Sequence, residues 1–425
     1  MERLIIKGGN RLCGEITVQG AKNSALPILA GALLGKRTVL HNCPELSDVT
    51  AACDILKTLG CRVRREGKTL MIDASCASYC HPPETLMREM RSSILFLGAM
   101  LARFSTARVS FPGGCELGAR PVDMHIDGLR RLGAVIREEG GFLYCSVDKP
   151  LCGCEITLPF PSVGATENII LAATSAKGTT VIRNAAREPE ISDLADFLTA
   201  CGARIKISGE EITIEGQTPL HDCEHTVIPD RIEAVTYLCA AAATGGKILL
   251  DSVNRQQMTA MLPVLEEMGC SLKYGADTIL LTAPERLKAV RKINTMPYPG
   301  FPTDAQAVFM AALCTADGSS MMVENIFEAR YKHVGELMRM GAQIDVSDRV
   351  SVIKGVNSLH GAAVECTDLR GGAALVTAAL SAEGESIITK LKHIDRGYSC
   401  LEQKLRSLGA EIKKGGIKRS GKENG

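Results

Sequence analysis

The chain has 425 residues, of which 45% are hydrophobic and 23% are charged, a composition typical of a globular protein rather than a disordered one. Its 49 basic and 48 acidic residues leave a formal net charge of +1, so the excess of positive charge that marks general nucleic-acid-binding proteins is missing. The first residues do not resemble a secretory signal, and no apolar run approaches the roughly 18 residues of a membrane span. We therefore expect a cytoplasmic protein without nucleic-acid or membrane partners.

Seventeen cysteines are spread along the chain. Three short groups contain more than one potential metal ligand, namely Cys76 with Cys80 and His81, Cys152 with Cys154, and His221 with Cys223 and His225. None of them has the paired Cys-x-x-Cys spacing of a zinc site. We expect reduced and often buried thiols, with no metal and no cofactor. A cysteine-rich metal or redox protein remains the alternative, and metal analysis would decide between them.

One short pattern occurs six times along the chain. It reads Leu, two variable residues, then Leu, Met or Cys, then Gly, then Ala or Cys, and a strand-like alternating segment follows each copy. Apolar residues three apart share one helical face, so we predict that each glycine ends a helix in a left-handed conformation. The glycines are Gly60, Gly133, Gly202, Gly269, Gly341 and Gly409, with spacings of 73, 69, 67, 72 and 68 residues.

A second pattern lies between these copies, in which an alanine-rich helix is followed by a small or polar turn and a β-branched strand. Its turns and strands lie at residues 35–40, 178–182, 246–250, 319–323 and 384–388. Each repeat of about 70 residues should therefore contain a helix, a strand, a loop, a second helix and a pair of strands. This alternation predicts an α/β fold.

Six such units could form an open solenoid or two globular halves of three units each. The period is longer than the 20–50 residues of common solenoids, which favours two halves. A boundary near Pro229-Asp230 divides the units three and three. A cleft between the halves is then the expected ligand site.

Polar residues stand before the alanine-rich helix of each unit. These segments are residues 20–23, 91–93, 162–166, 229–231, 302–304 and 368–370. Ordinary N-capping by Ser, Thr or Asp accounts for Ser162, Thr303 and Asp368.

Capping does not account for the basic residues in the same segments. Their positive charge opposes the dipole at a helix N-terminus, whereas a bound anion would be favoured there. We therefore interpret these residues as ligands of an anion. They are Lys22, Arg91, Arg231 and Arg370.

A second set of loops follows the strand of the units. The loop at residues 112–120 is rich in glycine and carries Cys115, with Arg120 five residues later. Glycine permits close backbone approach, and a nearby arginine favours the thiolate, so Cys115 is a candidate reactive thiol; an ordinary loop cysteine fits the sequence as well. The corresponding segments elsewhere are residues 184–190, 324–330 and 393–397.

Basic residues of these loops come from both halves of the chain. If they converge in the cleft, the ligand is a small, multiply charged anion, because arginine suits planar carboxylate and phosphate groups. No Walker loop or Rossmann glycine motif is present. The converging residues would be Lys22, Arg91, Arg120, Arg330, Arg370 and Arg396.

At these loops the chain resembles, over essentially its full length, the enolpyruvyl transferases that act on UDP-N-acetylglucosamine. Several motifs in the same order carry the resemblance. They are Gly20-Ala21-Lys22-Asn23-Ser24-Ala25-Leu26-Pro27, Pro112-Gly113-Gly114-Cys115 through Gly118-Ala119-Arg120-Pro121-Val122-Asp123, Ser162-Val163-Gly164-Ala165-Thr166, Arg187-Glu188-Pro189-Glu190, Phe301-Pro302-Thr303-Asp304 and His393-Ile394-Asp395-Arg396-Gly397.

The resemblance implies two inside-out α/β barrel domains, each built from three βαβαββ-like units. One domain would comprise residues 20–229 and carry the Cys115 loop. The other would comprise residues 1–19 plus 230–425 and carry Asp304 and Arg396, so that the N-terminal strand joins the second domain.

The resemblance also implies a substrate for the predicted cations. Lys22, Arg120 and Arg396 would bind the phosphate of phosphoenolpyruvate, and Arg330 and Arg370 would bind its carboxylate. No metal or other cofactor is implied.

The second substrate would be UDP-N-acetylglucosamine. Asn23 and Asp304 correspond to residues that hold its amino sugar. The positions expected to line the rest of this substrate are Arg91, Arg120, Pro121, Val122, Asp123, Met124, Ser162, Val163, Gly164 and Ile326. One departure concerns Phe160-Pro161, which stand where some members have a lysine, so a cationic pyrophosphate contact is not expected there.

The implied reaction transfers the enolpyruvyl group to the sugar 3′-hydroxyl and releases phosphate, opening peptidoglycan synthesis. It needs an acid to protonate C3 of phosphoenolpyruvate and a base for the hydroxyl proton. Cys115, which is also the residue alkylated by fosfomycin in the family, is the expected acid, and Asp304 the expected base, with Lys22 also assigned a catalytic role. Two alternatives remain, a transferase that acts on shikimate 3-phosphate and a non-catalytic paralogue that binds nucleotide sugars.

Overall fold

The computed structural model describes residues 2–111 and 122–416. Three of the predicted site residues, Cys115, Arg120 and Pro121, lie outside these residues. The α-helices are α1 Lys22–Gly31, α2 Ser47–Thr58, α3 Glu84–Glu89, α4 Phe96–Phe104, α5 Asp123–Arg131, α6 Val163–Ala173, α7 Pro189–Ala200, α8 Arg231–Ala243, α9 Leu262–Glu267, α10 Thr303–Leu313, α11 Val334–Arg339, α12 Leu369–Ser381 and α13 Leu401–Ser407. Short 3-10 helices cover Arg91–Leu95, Arg255–Met258 and Leu391–Arg396.

The strands of the described residues form six sheets. They are β1 Glu2–Lys7, β2 Cys13–Thr17, β3 Arg37–His41, β4 Arg62–Glu66, β5 Thr69–Asp73, β6 Thr106–Ser110, β7 Val135–Glu139, β8 Phe142–Ser146, β9 Glu155–Thr157, β10 Thr179–Arg183, β11 Arg204–Ser208, β12 Glu211–Glu215, β13 Cys223–Thr226, β14 Lys247–Asp251, β15 Ser271–Tyr274, β16 Ile279–Thr282, β17 Lys292–Asn294, β18 Ser319–Val323, β19 Gln343–Ser347, β20 Val350–Lys354, β21 Ala363–Glu365, β22 Glu385–Thr389 and β23 Glu411–Gly416.

The third unit shows the repeated architecture. Its chain order is β9, α6, β10, α7, β11 and β12, and its sheet order is β11-β12-β10-β9. Strand β10 runs parallel to β9, with Val181 opposite Glu155, and antiparallel to β12, with Val181 opposite Thr213. The parallel step is made through helix α6, as parallel strands require. Four other sheets repeat this order, and the sheet of the second unit has three strands in the described part of the chain.

The glycines of the recurring pattern end helices as predicted. All six have positive φ angles, between 92° and 106°, a range that glycine adopts without steric cost. After α2, for example, the Gly60 N–H donates to the Lys57 carbonyl at 3.0 Å, and the Cys61 N–H donates to Leu56 at 3.0 Å. The turn after each helix therefore follows from the local sequence.

Three strands reach sheets formed mainly by distant parts of the chain. Strand β1 lies between β22 and β23 and pairs antiparallel with both, while β2 runs parallel to β14 and β13 runs parallel to β3. The two segments that connect the halves lie side by side, with hydrogen bonds from Ala21 to Ile228 at 2.7 Å and from Asp230 to Gln19 at 2.9 Å. A Cβ atom at Gly20 would lie 1.8 Å from the Asn42 carbonyl oxygen, so this crossing requires glycine.

The buried side chains form two hydrophobic clusters. One contains buried residues between 21 and 227, and the other joins residues 4–18 to residues between 232 and 412. Helices α8, α10 and α12 pack against one another inside the second cluster, and α1, α4 and α6 contact one another inside the first. These central helices thus lie inside and the sheets outside, which is the predicted inside-out α/β barrel fold rather than an open solenoid.

We propose that each cluster is the core of one domain, divided as the family resemblance implies into residues 20–229 and residues 1–19 plus 230–425. The composition of the two clusters supports this division. Within the described residues, no helix combines the length and the apolar character needed to cross a membrane.

Candidate active site

A cavity of about 530 Å³ opens where the N-termini of central helices from both halves meet. Helices α1, α6 and α10 begin at or beside its wall. Backbone N–H groups at such helix starts carry partial positive charge. The predicted site residues on the wall are Lys22, Asn23, Arg91, Met124, Ser162, Val163, Gly164, Asp304, Ile326 and Arg396.

The N-caps of these helices agree with prediction at two positions and differ at a third. The Ser162 hydroxyl accepts from the Ala165 N–H at 3.4 Å, and the Asp368 carboxylate accepts from two N–H groups of α12 at 3.0 Å. The prediction for Thr303 was wrong, because Pro302 occupies the N-cap and has no capping side chain.

The Thr303 hydroxyl instead donates to Glu324 at 2.9 Å. Thr303 is itself the first residue of α10, and the fold brings within its reach a carboxylate, a strong acceptor for the hydroxyl proton. Glu324 also accepts from the N–H groups of Ile326 and Phe327, at 2.9 and 3.0 Å. The start of α10 is thereby tied to the segment that places Ile326 on the cavity wall.

Asp304 lies between two arginines. Its Oδ1 is 3.0 Å from Nη2 of Arg330, and its Oδ2 is 3.0 Å from Nη2 of Arg370. Arg330 also donates to the Thr303 carbonyl at 2.9 Å. The Asp304 side chain keeps 28% of its surface exposed, whereas Arg330 and Arg370 keep 2% and 3% and do not line the cavity. The two predicted carboxylate ligands therefore stand behind Asp304.

The charges around Asp304 fix its ionisation. Burial alone would raise the pKa of this carboxyl, but Arg370, Arg330 and Lys22 outweigh burial and hold the pKa below its usual range. Asp304 is therefore ionised at neutral pH, the state that a proton acceptor needs.

A second carboxylate lies between two other predicted cations. Asp48, in the first turn of α2, accepts from the Lys22 ammonium at 3.3 Å and from Nε of Arg396 at 2.9 Å. Burial lowers the pKa of Lys22, Asp48 opposes this effect, and the positive charges of Arg370 and Arg396 lower the pKa further. Sequence reasoning missed Asp48, because an acidic residue in the first turn of a helix is common and nothing local indicates its distant partners.

Arg231 also has an internal partner. Its Nε is 3.1 Å from Oε1 of Glu190, and both side chains are buried. Nearby, the Tyr298 N–H lies 3.4 Å from Oε1 of Glu188, whose pKa is raised by burial. The cation at the start of α8, for which the sequence predicts an external anion, thus has an internal carboxylate partner and also lines the cavity.

The wall of the first half also contains His125, which was not predicted. Its Nδ1 lies 3.0 Å from Nδ2 of Asn168, and burial, followed by the charge of Arg91, lowers its pKa to about 4. The imidazole is therefore neutral at pH 7. A Cβ atom at Gly164 would lie 3.0 Å from the ring, so glycine lets the histidine approach the start of α6.

The remaining predicted positions are less central. Val122 is buried and Asp123 is exposed at the start of α5, and neither lines the cavity. Phe160 and Pro161 do line it, so the wall has two apolar residues at the point where some family members have a lysine. Within the described residues, no group of three or more His, Cys, Asp and Glu could hold a metal ion.

Comparison with known proteins agrees with the fold. Residues 6–405 match the family model of EPSP synthase (3-phosphoshikimate 1-carboxyvinyltransferase). The solved structure of the enolpyruvyl transferase NikO from Streptomyces tendae is 26% identical with a TM-score of 0.89, and the match covers 97% of this chain and 98% of that one.

Proteins whose sequences are more similar to this chain than that of NikO have a more specific enzyme name. UDP-N-acetylglucosamine 1-carboxyvinyltransferase 2 of Caldanaerobacter subterraneus subsp. tengcongensis is 50% identical over 97% of this chain and 99% of its own length. UDP-N-acetylglucosamine 1-carboxyvinyltransferase 1 of Symbiobacterium thermophilum is 50% identical over 97% and 95%. With its two inside-out barrels and its order of motifs, the chain belongs to the UDP-N-acetylglucosamine 1-carboxyvinyltransferases, within the EPSP synthase family of enolpyruvyl transferases.

Proposed function

We propose that the protein transfers the enolpyruvyl group of phosphoenolpyruvate to the 3′-hydroxyl of UDP-N-acetylglucosamine and releases phosphate. The observation that carries this proposal is the meeting of Lys22, Asp304 and Arg396, from two halves of the chain, on one cavity wall. The names of relatives that are 50% identical over nearly the full length support the choice of substrates.

The cation pairs suit the two anionic groups of phosphoenolpyruvate. Lys22 and Arg396 share Asp48, so that group carries a net charge of one positive unit, and it would hold the phosphate together with Arg120. Arg330 and Arg370 share Asp304 with the same net charge; they stand behind Asp304 in the free site, so they would hold the carboxylate only after turning from Asp304 toward the cavity. Guanidinium groups that already lie close together favour planar, bidentate binding of such anions.

The proposed chemistry is an addition followed by an elimination. A proton from Cys115 adds to C3 of phosphoenolpyruvate while the sugar oxygen attacks C2 and gives its proton to Asp304. In the second half, the Cys115 thiolate takes back a proton from C3 while the C2–O bond to phosphate breaks, which restores the double bond, and the departing phosphate takes the proton held by Asp304. The cations stabilise the charge on the tetrahedral intermediate, and holding both substrates in one cavity lowers the entropic cost of their encounter.

The amino sugar would lie between Asn23 and Asp304, and the nucleotide would lie toward Arg91, Met124 and the start of α6. Cavities of about 300–1,000 Å³ are typical of small-molecule sites, and this one lies within that range. In this proposal the protein catalyses the first committed step of peptidoglycan synthesis in the cytoplasm, and Cys115 would make it a fosfomycin target. No metal or cofactor takes part in the proposed mechanism.

The proposal is tested by phosphate release. We expect the purified protein to release phosphate from phosphoenolpyruvate only when UDP-N-acetylglucosamine is present, because C2 is attacked by the sugar hydroxyl rather than by water. Each substrate is omitted in turn as the control. Equal phosphate release without the nucleotide sugar would contradict a transferase, and no release with both substrates would indicate a binding protein.

A further inference from the structure

Asp48 contacts two cations from different halves of the chain. Its Oδ2 lies 3.3 Å from Nζ of Lys22 on α1, and its Oδ1 lies 2.9 Å from Nε of Arg396, at the end of a 3-10 helix in the second half. Nη2 of Arg396 adds a third contact at 3.4 Å. Only 5% of the Asp48 side chain is exposed, compared with 37% of that of Arg396, so the carboxylate stands behind the more accessible guanidinium.

All three residues line the same cavity. Two cations held this close would repel each other in the absence of an anion, and the buried carboxylate supplies that anion before any ligand binds. A phosphate at the cavity wall would then meet an ammonium and a guanidinium that are already in place.

We infer that Asp48 is a positioning residue, which holds the Lys22 ammonium and the Arg396 guanidinium together, as charged groups, at one point of the cavity wall. This assignment rests on the proposed function only for the identity of the substrate whose phosphate group is bound. Recognition of the phosphate group would then depend on Asp48 as well, although Asp48 is not proposed to contact either substrate.

The surroundings of Lys22 show why Asp48 matters for its charge. Burial disfavours the ammonium, and two of the neighbouring groups are themselves positive. Among the described residues, Asp48 is the carboxylate in direct contact with the Lys22 ammonium. The charged groups that face Lys22 from the elements packed around it are Asp48 on α2, Asp230 before α8, Asp304 on α10, Arg370 on α12 and Arg396.

The test measures binding of inorganic phosphate to the full-length protein by calorimetry, from about pH 7.5 to about pH 10.5, a range in which lysine titrates and phosphate remains largely the dianion. In the wild type, phosphate affinity should fall as pH rises through the lowered pKa of Lys22. In Asp48→Asn the fall should come at least one pH unit lower, because an opposite charge in contact typically shifts a pKa by about 1–3 units.

The control is Glu233→Gln, which alters another buried carboxylate. Glu233 pairs with Lys404 at 2.6 Å and does not line the cavity, so its substitution should leave the midpoint unchanged. A midpoint in Asp48→Asn that equals the wild-type value, or a wild type that binds no phosphate, would overturn the inference. If Asp48→Asn does not fold, Asp48→Ser is measured in its place. If neither variant folds, Asp48 has a structural role and the inference is also overturned.

Because phosphate binding requires no turnover, this result is separable from the proposed function. A shifted midpoint in a protein that does not turn over the two substrates would refute the proposed function and leave the role of Asp48 standing. Normal turnover in the wild type with an unshifted midpoint in Asp48→Asn would refute only the role of Asp48.

Discussion

Asp304→Asn should lower kcat by about 10²–10⁴, the range expected when a general base is removed. The asparagine amide has nearly the same shape and can still bond to Arg330 through its oxygen, but it cannot take the proton of the sugar hydroxyl. The Michaelis constant for phosphoenolpyruvate should change far less than kcat. Steady-state kinetics with each substrate varied in turn would measure both quantities.

The matched control is Asp317→Asn, an exposed carboxylate of the same half that lies 4.0 Å from Arg286. This variant should keep wild-type kinetics, and a thermal melt should show that both proteins are folded. If Asp304→Asn retains more than about a tenth of wild-type kcat, Asp304 is not the proton acceptor.

The environment of Asp304 suggests how its basicity depends on the substrate. In the free site, Arg330 and Arg370 each donate to this carboxylate and lower its pKa, and a carboxylate with a low pKa is a weak base. A substrate carboxylate that engages the same arginines would weaken their effect on Asp304, so the base should become stronger when phosphoenolpyruvate is bound.

Cys115→Ser should lose most of the activity, by about 10² or more, because a serine hydroxyl is too weak an acid to replace the thiol as proton donor. It should also lose labelling by fosfomycin, whose phosphonate would be drawn to Lys22 and Arg396. In the labelling step the thiolate attacks an epoxide carbon, the C–O bond breaks and the released oxygen takes a proton. Cys115→Asp should resist fosfomycin yet remain active, since a carboxyl group can still donate a proton.

The other cysteines provide an internal control for selectivity. Burial raises the pKa of Cys61 to about 11 and those of Cys145 and Cys270 to about 12, so these thiols are poor nucleophiles. Cys152 is exposed, and Cys152→Ser should leave both activity and labelling unchanged. Peptide mass spectrometry that finds the adduct on any cysteine other than Cys115, or a fully active Cys115→Ser enzyme, would refute the assignment.

The repeated fold could be predicted from local sequence because its signals are local. Gly60 and Gly133 end helices where the pattern places them, and the alternating segments after them pair as strands. The inside-out arrangement could not be obtained in this way, because a helix that is apolar all round indicates burial on every side but does not indicate which distant sheets surround it. That feature came from the family resemblance, and the two hydrophobic clusters show it directly.

The site was predictable where a residue type was out of place, and was missed where the residue type was ordinary. Lys22 and Arg370 drew attention because a cation at a helix start opposes the dipole. Asp48 looked like a common first-turn acid, and its contact with Arg396 spans 348 residues of sequence. Threonine is a common capping residue, but α10 begins at Thr303 itself, and the Thr303 hydroxyl donates to a distant carboxylate, Glu324.

The most direct test of the central claim lets two acceptors compete. The protein is incubated with phosphoenolpyruvate and equal concentrations of UDP-N-acetylglucosamine and shikimate 3-phosphate, the acceptor named in the matching family model. The products are then identified by mass spectrometry and NMR. We expect an enolpyruvyl ether on the 3′-oxygen of the nucleotide sugar and unchanged shikimate 3-phosphate; an enolpyruvyl group on shikimate 3-phosphate, or an unchanged mixture, would contradict the proposed function.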